Sequence, residues 1–196
     1  MLLVANGWRH YKENIMIIKV NSEIQLKELE QSDSRDIFNT IDSQREYLGK
    51  WLPFVSFTKE ISDTEKFVDS VINAPKEHFE YVFAIKKEDE FVGLIGFKDT
   101  DRLNNKTEIG YWLSEKHQKQ GIVTNSVEKL CDFAFNKLNI NRIQIKCAVE
   151  NRSSINIPQK LGFKLEGIER QGELLSDGNY TDLAIYSKLK SDKICM

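Results

Sequence analysis

Residues 115–126, EKHQKQGIVTNS, join a short alternating apolar segment to the clearest helical stripe in the chain. A tight turn that feeds a helix leaves several backbone N–H groups unpaired and aimed at one point, with the positive end of the helix dipole behind them. Such a terminus binds a phosphate without an arginine fork. Gln118, Lys119, Gln120, Gly121, Ile122, Val123 and Thr124 are the residues that would bind one here, and Gly121 removes a side chain where a diphosphate must approach the backbone. Taken alone, Gln118–Gly121 also reads as a helix start that uses glycine for steric reasons. Its position favours a ligand, because the loop leaves the carboxyl end of a strand, where open α/β sheets bind theirs. The following strand runs into Asn151-Arg152-Ser153-Ser154, which puts polar side chains at the neighbouring strand end. For Asn151 and Ser154 the competing role is helix capping.

The elements that must carry these residues follow from apolar periodicity. Ile24, Leu26 and Leu29 suggest a first strand. Ser32-Asp33 offers an N-cap for a helix with Ile37, Phe38 and Ile41 on one face. An aromatic segment, YLGKWLPFVSF (47–57), reads as a loop, and Ser62 with Glu65 has the spacing of a capping box for a second helix. Residues 80–87 and 91–98 read as a hairpin about Lys87–Glu90, and Ile109, Tyr111 and Leu113 alternate as a strand ending near Ser114. Val127, Leu130, Cys131, Ala134, Phe135 and Leu138 recur at helical spacing from about Gly121 onward. Ile143, Ile145, Cys147 and Val149 form a strand. A helix over 153–161 ends at Gly162, and two strands at about 164–174 and 180–189 close the chain. The order β-α-α-β-β-β-α-β-α-β-β gives a mixed α/β (α+β) domain, one open and mostly antiparallel sheet with helices on both faces.

Composition excludes several classes. With 196 residues the chain fits one domain, and 28 Lys plus Arg against 30 Asp plus Glu give a formal charge of −2. Gripping nucleic acid or an anionic membrane would want a basic excess, so neither partner is expected. Three scattered cysteines (Cys131, Cys147, Cys195) and three scattered histidines offer neither a disulfide framework nor a metal site. No GxxxxGKS/T, HExxH or Gly-x-Ser-x-Gly motif occurs, and Gly93-Leu94-Ile95-Gly96 lies inside a strand. Residues 1–15 lack periodicity and read as an extension, not necessarily native, before a domain at 16–191. Without a signal-peptide core or a membrane-length apolar run, the expected compartment is the cytoplasm.

The segments EIGYWLSEKHQKQGIVT (108–124), LNINRIQIKCAVENRSS (138–154) and IPQKLGFKLEGIERQGE (157–173), with LGKWLP (48–53), resemble the GNAT N-acetyltransferases. Within them the chain is similar to the ribosomal-protein-serine (RimL/RimJ-type) branch, from about Ile18 to Lys190. The resemblance implies acetyl-CoA as co-substrate, no metal, an amine acceptor, direct acetyl transfer, and an oligomer in some members. It places the family's acyl-CoA loop on Gln118, Gly121 and Val123, the last larger than the usual small residue. The tyrosine that many relatives carry before Gly-Phe is replaced here by Pro158, so the branch's serine and glutamate, at Ser154 and Glu173, take the catalytic places. Ser154 would protonate the departing sulfur, Glu173 would accept the amine's proton, and a backbone N–H near Leu113 would hold the developing oxyanion. The acceptor site is expected from Tyr47, Trp51, Phe54, Phe57 and the loop 174–180 with Asp177, unless those aromatics are core. A protein N-terminus is the first acceptor in view. A polyamine or aminoglycoside is the alternative, and a non-catalytic acyl-CoA-binding module is the rival of another class.

Overall fold

The computed structural model describes residues 15–194, so the expected extension, apart from Ile15, and Cys195 lie outside the described residues. The strands are β1 (Ile17–Lys19), β2 (Ile24–Glu28), β3 (Val82–Lys87), β4 (Glu90–Asp101), β5 (Lys106–Leu113), β6 (Arg142–Ala148), β7 (Lys164–Leu174) and β8 (Tyr180–Leu189). They form one sheet in the order β1-β2-β3-β4-β5-β6-β8-β7. Neighbours are antiparallel except β5 and β6. Among the described residues there are five α-helices: α1 (Ser34–Asp42), α2 (Arg45–Gly49), α3 (Ile61–Ile72), α4 (Ile122–Asn136) and α5 (Arg152–Lys160).

The apolar stripe of α4 drives one half of the packing. Val127, Leu130, Cys131, Ala134 and Phe135 are buried against Ile109, Ile143 and Ile145 of the sheet, and Ile155 of α5 joins them. On the other face Ile37, Ile41, Leu48 and Val68 from α1–α3 bury against Ala84, Phe91, Leu94 and Trp112. Alternation along β5 sorts its side chains between these two cores, with Ile109 to one and Trp112 to the other. The sheet therefore carries helices on both faces, as the periodicity suggests.

Three local features differ from the sequence reading. A short strand, β1, pairs with β2 ahead of the expected first strand; three residues are too few for a visible alternation. The aromatic loop contains α2 and a 3₁₀ turn over Pro53–Ser56, with proline at the start of that turn, where its missing N–H costs nothing. The capping boxes sit elsewhere, because carboxylates replace serine in both. Glu60 and Asp63 cap α3 reciprocally, and Glu30 and Asp33 do the same for a 3₁₀ turn ahead of α1. Asp33 is buried and pairs with Lys86 at 3.0 Å. Among the described residues no helix is long and apolar enough to cross a membrane, and no group of three or more His, Cys, Asp or Glu could hold a metal ion.

Candidate functional site

β5 and β6 pair only from Lys106↔Arg142 to Glu108↔Gln144. Beyond that rung β5 stays with β4 and β6 stays with β8, so the two strands part. A cavity of about 330 Å³ lies at this gap, with walls from α2 on one face of the sheet and from α4 and α5 on the other. The N–H of Ser114 donates to Val92 O on the β4 side at 2.8 Å. Backbone N–H groups alternate in direction along a strand, so that of Leu113 turns toward the gap that β6 has left.

The mouth of the cavity is the start of α4. Gly121 is its N-cap residue, in the left-handed conformation at φ 75°, and no side chain caps the amides that follow. The carbonyl of Gly121 already accepts from Asn125 at 3.0 Å, which makes Ile122, Val123 and Thr124 the first-turn residues whose amides have no helical partner. A Cβ at Gly121 would meet only the Asn125 amide, at 3.7 Å, so the open space above this turn belongs to no side chain of the protein. Lys119 also has a positive φ of 61°, which completes the tight turn. Val123 is buried in the core below and reaches the cavity wall, so its bulk is absorbed on the protein side.

Most of the expected binding residues meet here. Leu113, Gln118, Lys119, Gly121, Ile122, Val123, Thr124, Asn151 and Ser154 all line the cavity. Gln120 does not; its side-chain oxygen accepts from Lys87 Nζ at 2.8 Å on the outside. Gln118 Nε2 donates to the Tyr47 hydroxyl. Gln44 binds the same loop twice, donating to Ser114 Oγ at 3.0 Å and accepting from the Glu115 N–H at 2.7 Å. These bonds tie the α1–α2 segment to the turn. Of the aromatics, Tyr47 and Trp51 line the cavity. Phe54 and Phe57 are 40% and 76% exposed and do not line it. Asp177 spends its carboxylate on Asn179 in its own turn, away from the cavity.

Asn151 and Ser154 fill both roles weighed for them. The Asn151 side chain caps α5 by accepting the Ser154 N–H at 3.2 Å, and both residues face the cavity. Ser154 Oγ donates to Cys147 Sγ at 3.2 Å and lies 3.2 Å from the Tyr111 hydroxyl. Burial pushes both the Cys147 thiol and the Tyr111 phenol above their ordinary ranges, so both stay protonated. Tyr111 reads from sequence only as a strand residue. The signal for its proximity to Ser154 is the β5–β6 parting, which no local pattern carries.

Glu173 lies on the other face. It pairs with Thr181, and the same side of the sheet carries Lys146, which bonds Glu169 at 3.1 Å, whereas Cys147 points to α5. Its carboxylate is half-buried, and that burial raises its pKa. Lys98 and Lys146 oppose the rise, and Glu108 adds to it. Glu108 itself is buried at the last shared rung, held by Lys98 at 2.9 Å and Gln144 at 3.1 Å. His117, under the turn, is buried with Nδ1 unpartnered and Nε2 3.6 Å from Glu90, and burial lowers its pKa.

Comparison with known proteins gives this arrangement a context. Residues 23–164 match the model of the acetyltransferase (GNAT) domain. The chain is 32% identical over 172 residues to the ribosomal-protein-serine acetyltransferase of Escherichia coli, covering 88% of this chain and 96% of that one. Among solved structures it resembles RimL, a ribosomal-protein α-N-acetyltransferase, in complex with coenzyme A. The TM-score is 0.85 at 27% identity, over 89% of this chain and 98% of that one. It also resembles the microcin self-immunity acetyltransferase MccE in complex with acetyl-CoA and AMP. There the TM-score is 0.82 at 31% identity, over 88% of this chain and 95% of that one.

Proposed function

This chain belongs to the GNAT acetyltransferase family, and from that membership we propose that it passes the acetyl group of acetyl-CoA to the N-terminal amine of a protein, of the ribosomal-protein type. Acetyl-CoA supplies an activated thioester. In the net reaction the carbon–sulfur bond breaks, a carbon–nitrogen bond forms, the nitrogen loses one proton and the sulfur gains one.

Each step has a group of this chain assigned to it. The uncapped amides of Ile122, Val123 and Thr124, with Gln118, Lys119 and the bare backbone at Gly121, bind the diphosphate. The Leu113 N–H donates to the carbonyl oxygen on which negative charge gathers, a preorganised dipole worth about 3 kcal/mol in comparable sites. Ser154 gives a proton to the departing sulfur. Glu173, through a water, accepts the proton of the attacking amine, which reacts only when neutral. Its raised pKa brings it closer to the strength of a base that works near neutrality.

The observation that carries this reading is the parting of β5 and β6 with the uncapped start of α4 at its mouth. The protein acceptor is supported by likeness to a ribosomal-protein acetyltransferase over nearly its whole length. Release of CoA thiol should be measured with peptides bearing free and blocked N-termini, with spermidine and with an aminoglycoside. Turnover with the free peptide alone supports the proposal. Preference for a small amine replaces the acceptor, and CoA binding without thiol release makes the chain a binding module.

A further inference from the structure

Pro158 stands four residues after Ser154 inside α5. It has no N–H to return to the Ser154 carbonyl, and its ring crowds that same carbonyl. The oxygen is therefore left with acceptor capacity that a regular helix would use. The Tyr111 hydroxyl lies 3.3 Å from it and 3.2 Å from Ser154 Oγ, so one phenol on β5 reaches both oxygens of one residue on α5. It bridges the two walls of the cavity at the level of the serine.

We infer that Tyr111 is the positioning residue that aims the Ser154 hydroxyl at the sulfur leaving the thioester. The inference rests on the reading in which Ser154 serves that sulfur. Each hydroxyl has one hydrogen to give. Ser154 Oγ gives its own hydrogen to Cys147 Sγ, so in its contact with the phenol the serine oxygen accepts, and the phenol's hydrogen is shared between Oγ and the Ser154 carbonyl oxygen. Burial keeps the phenol neutral, so its hydrogen stays available. With its lone pair occupied, Ser154 turns its own hydrogen the other way. In this structure that hydrogen goes to Cys147 Sγ at 3.2 Å, a buried core thiol outside the cavity lining, so the departing sulfur must take it from Cys147. Were the phenol absent, the serine would be free to rotate its hydrogen to its own surroundings and only part of the population would face the leaving group.

The test is a double-mutant cycle of Tyr111→Phe and Ser154→Ala in the full chain, read as kcat and as KM for acetyl-CoA, with the CoA-induced thermal shift confirming that each variant is folded. Tyr111→Phe is expected to lower kcat about tenfold, the loss of one hydrogen bond. KM should be unchanged, and in the Ser154→Ala background the same substitution should cost nothing further. A Tyr111→Phe enzyme with normal kcat, penalties that multiply in the double variant, or an effect confined to KM would overturn the inference while leaving Ser154 in place. A Ser154→Ala enzyme with normal kcat would overturn both the inference and the serine's own assignment.

Discussion

Ser154 and Glu173 stand on opposite faces of the sheet, Ser154 lining the cavity between β5 and β6 and Glu173 outside that lining. Ser154 bonds Cys147, whose side chain joins the core under α4 and α5. Glu173 stands on the side of Glu108, Lys98 and Lys146. An amine adds to the face of a thioester carbonyl and the sulfur leaves from the tetrahedral carbon that results, so under the proposed roles the base and the acid serve two separate proton transfers and need not share one position.

If Glu173 is the base, Glu173→Gln removes a proton acceptor without changing shape. Turnover should fall by about 10²–10⁴-fold, the usual contribution of a general base, with CoA affinity nearly intact. Steady-state kinetics beside a CoA titration will decide; equal turnover removes Glu173 from the scheme.

The cation at Lys98 stabilises the charged form of Glu173, so its loss must raise that carboxyl further. Lys98→Met is expected to move the acid limb of the kcat/KM profile to higher pH. A limb that stays in place would mean that another group titrates there.

Much of this site is readable in the chain itself, and the reasons are local. The stripe from Val127 to Phe135 needs only helical periodicity, and Gly121 announces the start of that helix because a left-handed turn favours glycine. Ser154 and Asn151 follow from a strand that ends in polar, cap-forming residues. What stayed hidden depends on pairs distant in sequence. Tyr111 lies beside Ser154 only because β5 and β6 diverge after Glu108. Of the four aromatics expected at the site, Tyr47 and Trp51 line it, Tyr47 held there by Gln118, whereas Phe54 and Phe57 of the same run face solvent, a division that only tertiary contacts decide. Glu173 falls on the far face through the register of β7 with β8, which is irregular between Glu169 and Glu173. The missed capping boxes had a different cause: Asp63 and Asp33 bond backward to Glu60 and Glu30, pairs without the serine or threonine that usually marks the motif.

His117 gives the fold a dependence on mild acid. Burial holds its folded-state pKa below the ordinary 6.5. Between the two values the unfolded chain binds more protons, so stability is fully present above about 6.5 and is lost as pH falls toward the folded value. Urea midpoints should drop from pH 7 to pH 5, and His117→Gln should flatten that drop. The same fall in both proteins would assign the acid sensitivity to the carboxylates.

Gly121→Ala imposes a side chain on a residue at φ 75°. The left-handed conformation costs about 1–2 kcal/mol outside glycine, enough to lower Tm by several degrees in a chain of this length. CoA binding should weaken as well if the diphosphate approaches the bare backbone here, as proposed, because the added methyl would stand in its way. A variant with native Tm and native CoA affinity would show that neither the turn nor the approach needs glycine.

The most direct measurement is the appearance of CoA thiol from acetyl-CoA and a peptide with a free α-amine, compared between the native protein and Ser154→Ala. Turnover is expected in the native protein, with a loss of about 10²-fold or more in the variant. Coenzyme A should stabilise both equally against heat, by about 2.7 kcal/mol at 100 times its Kd. Equal turnover in the two proteins, or a native protein that neither releases thiol nor gains stability from coenzyme A, would contradict it.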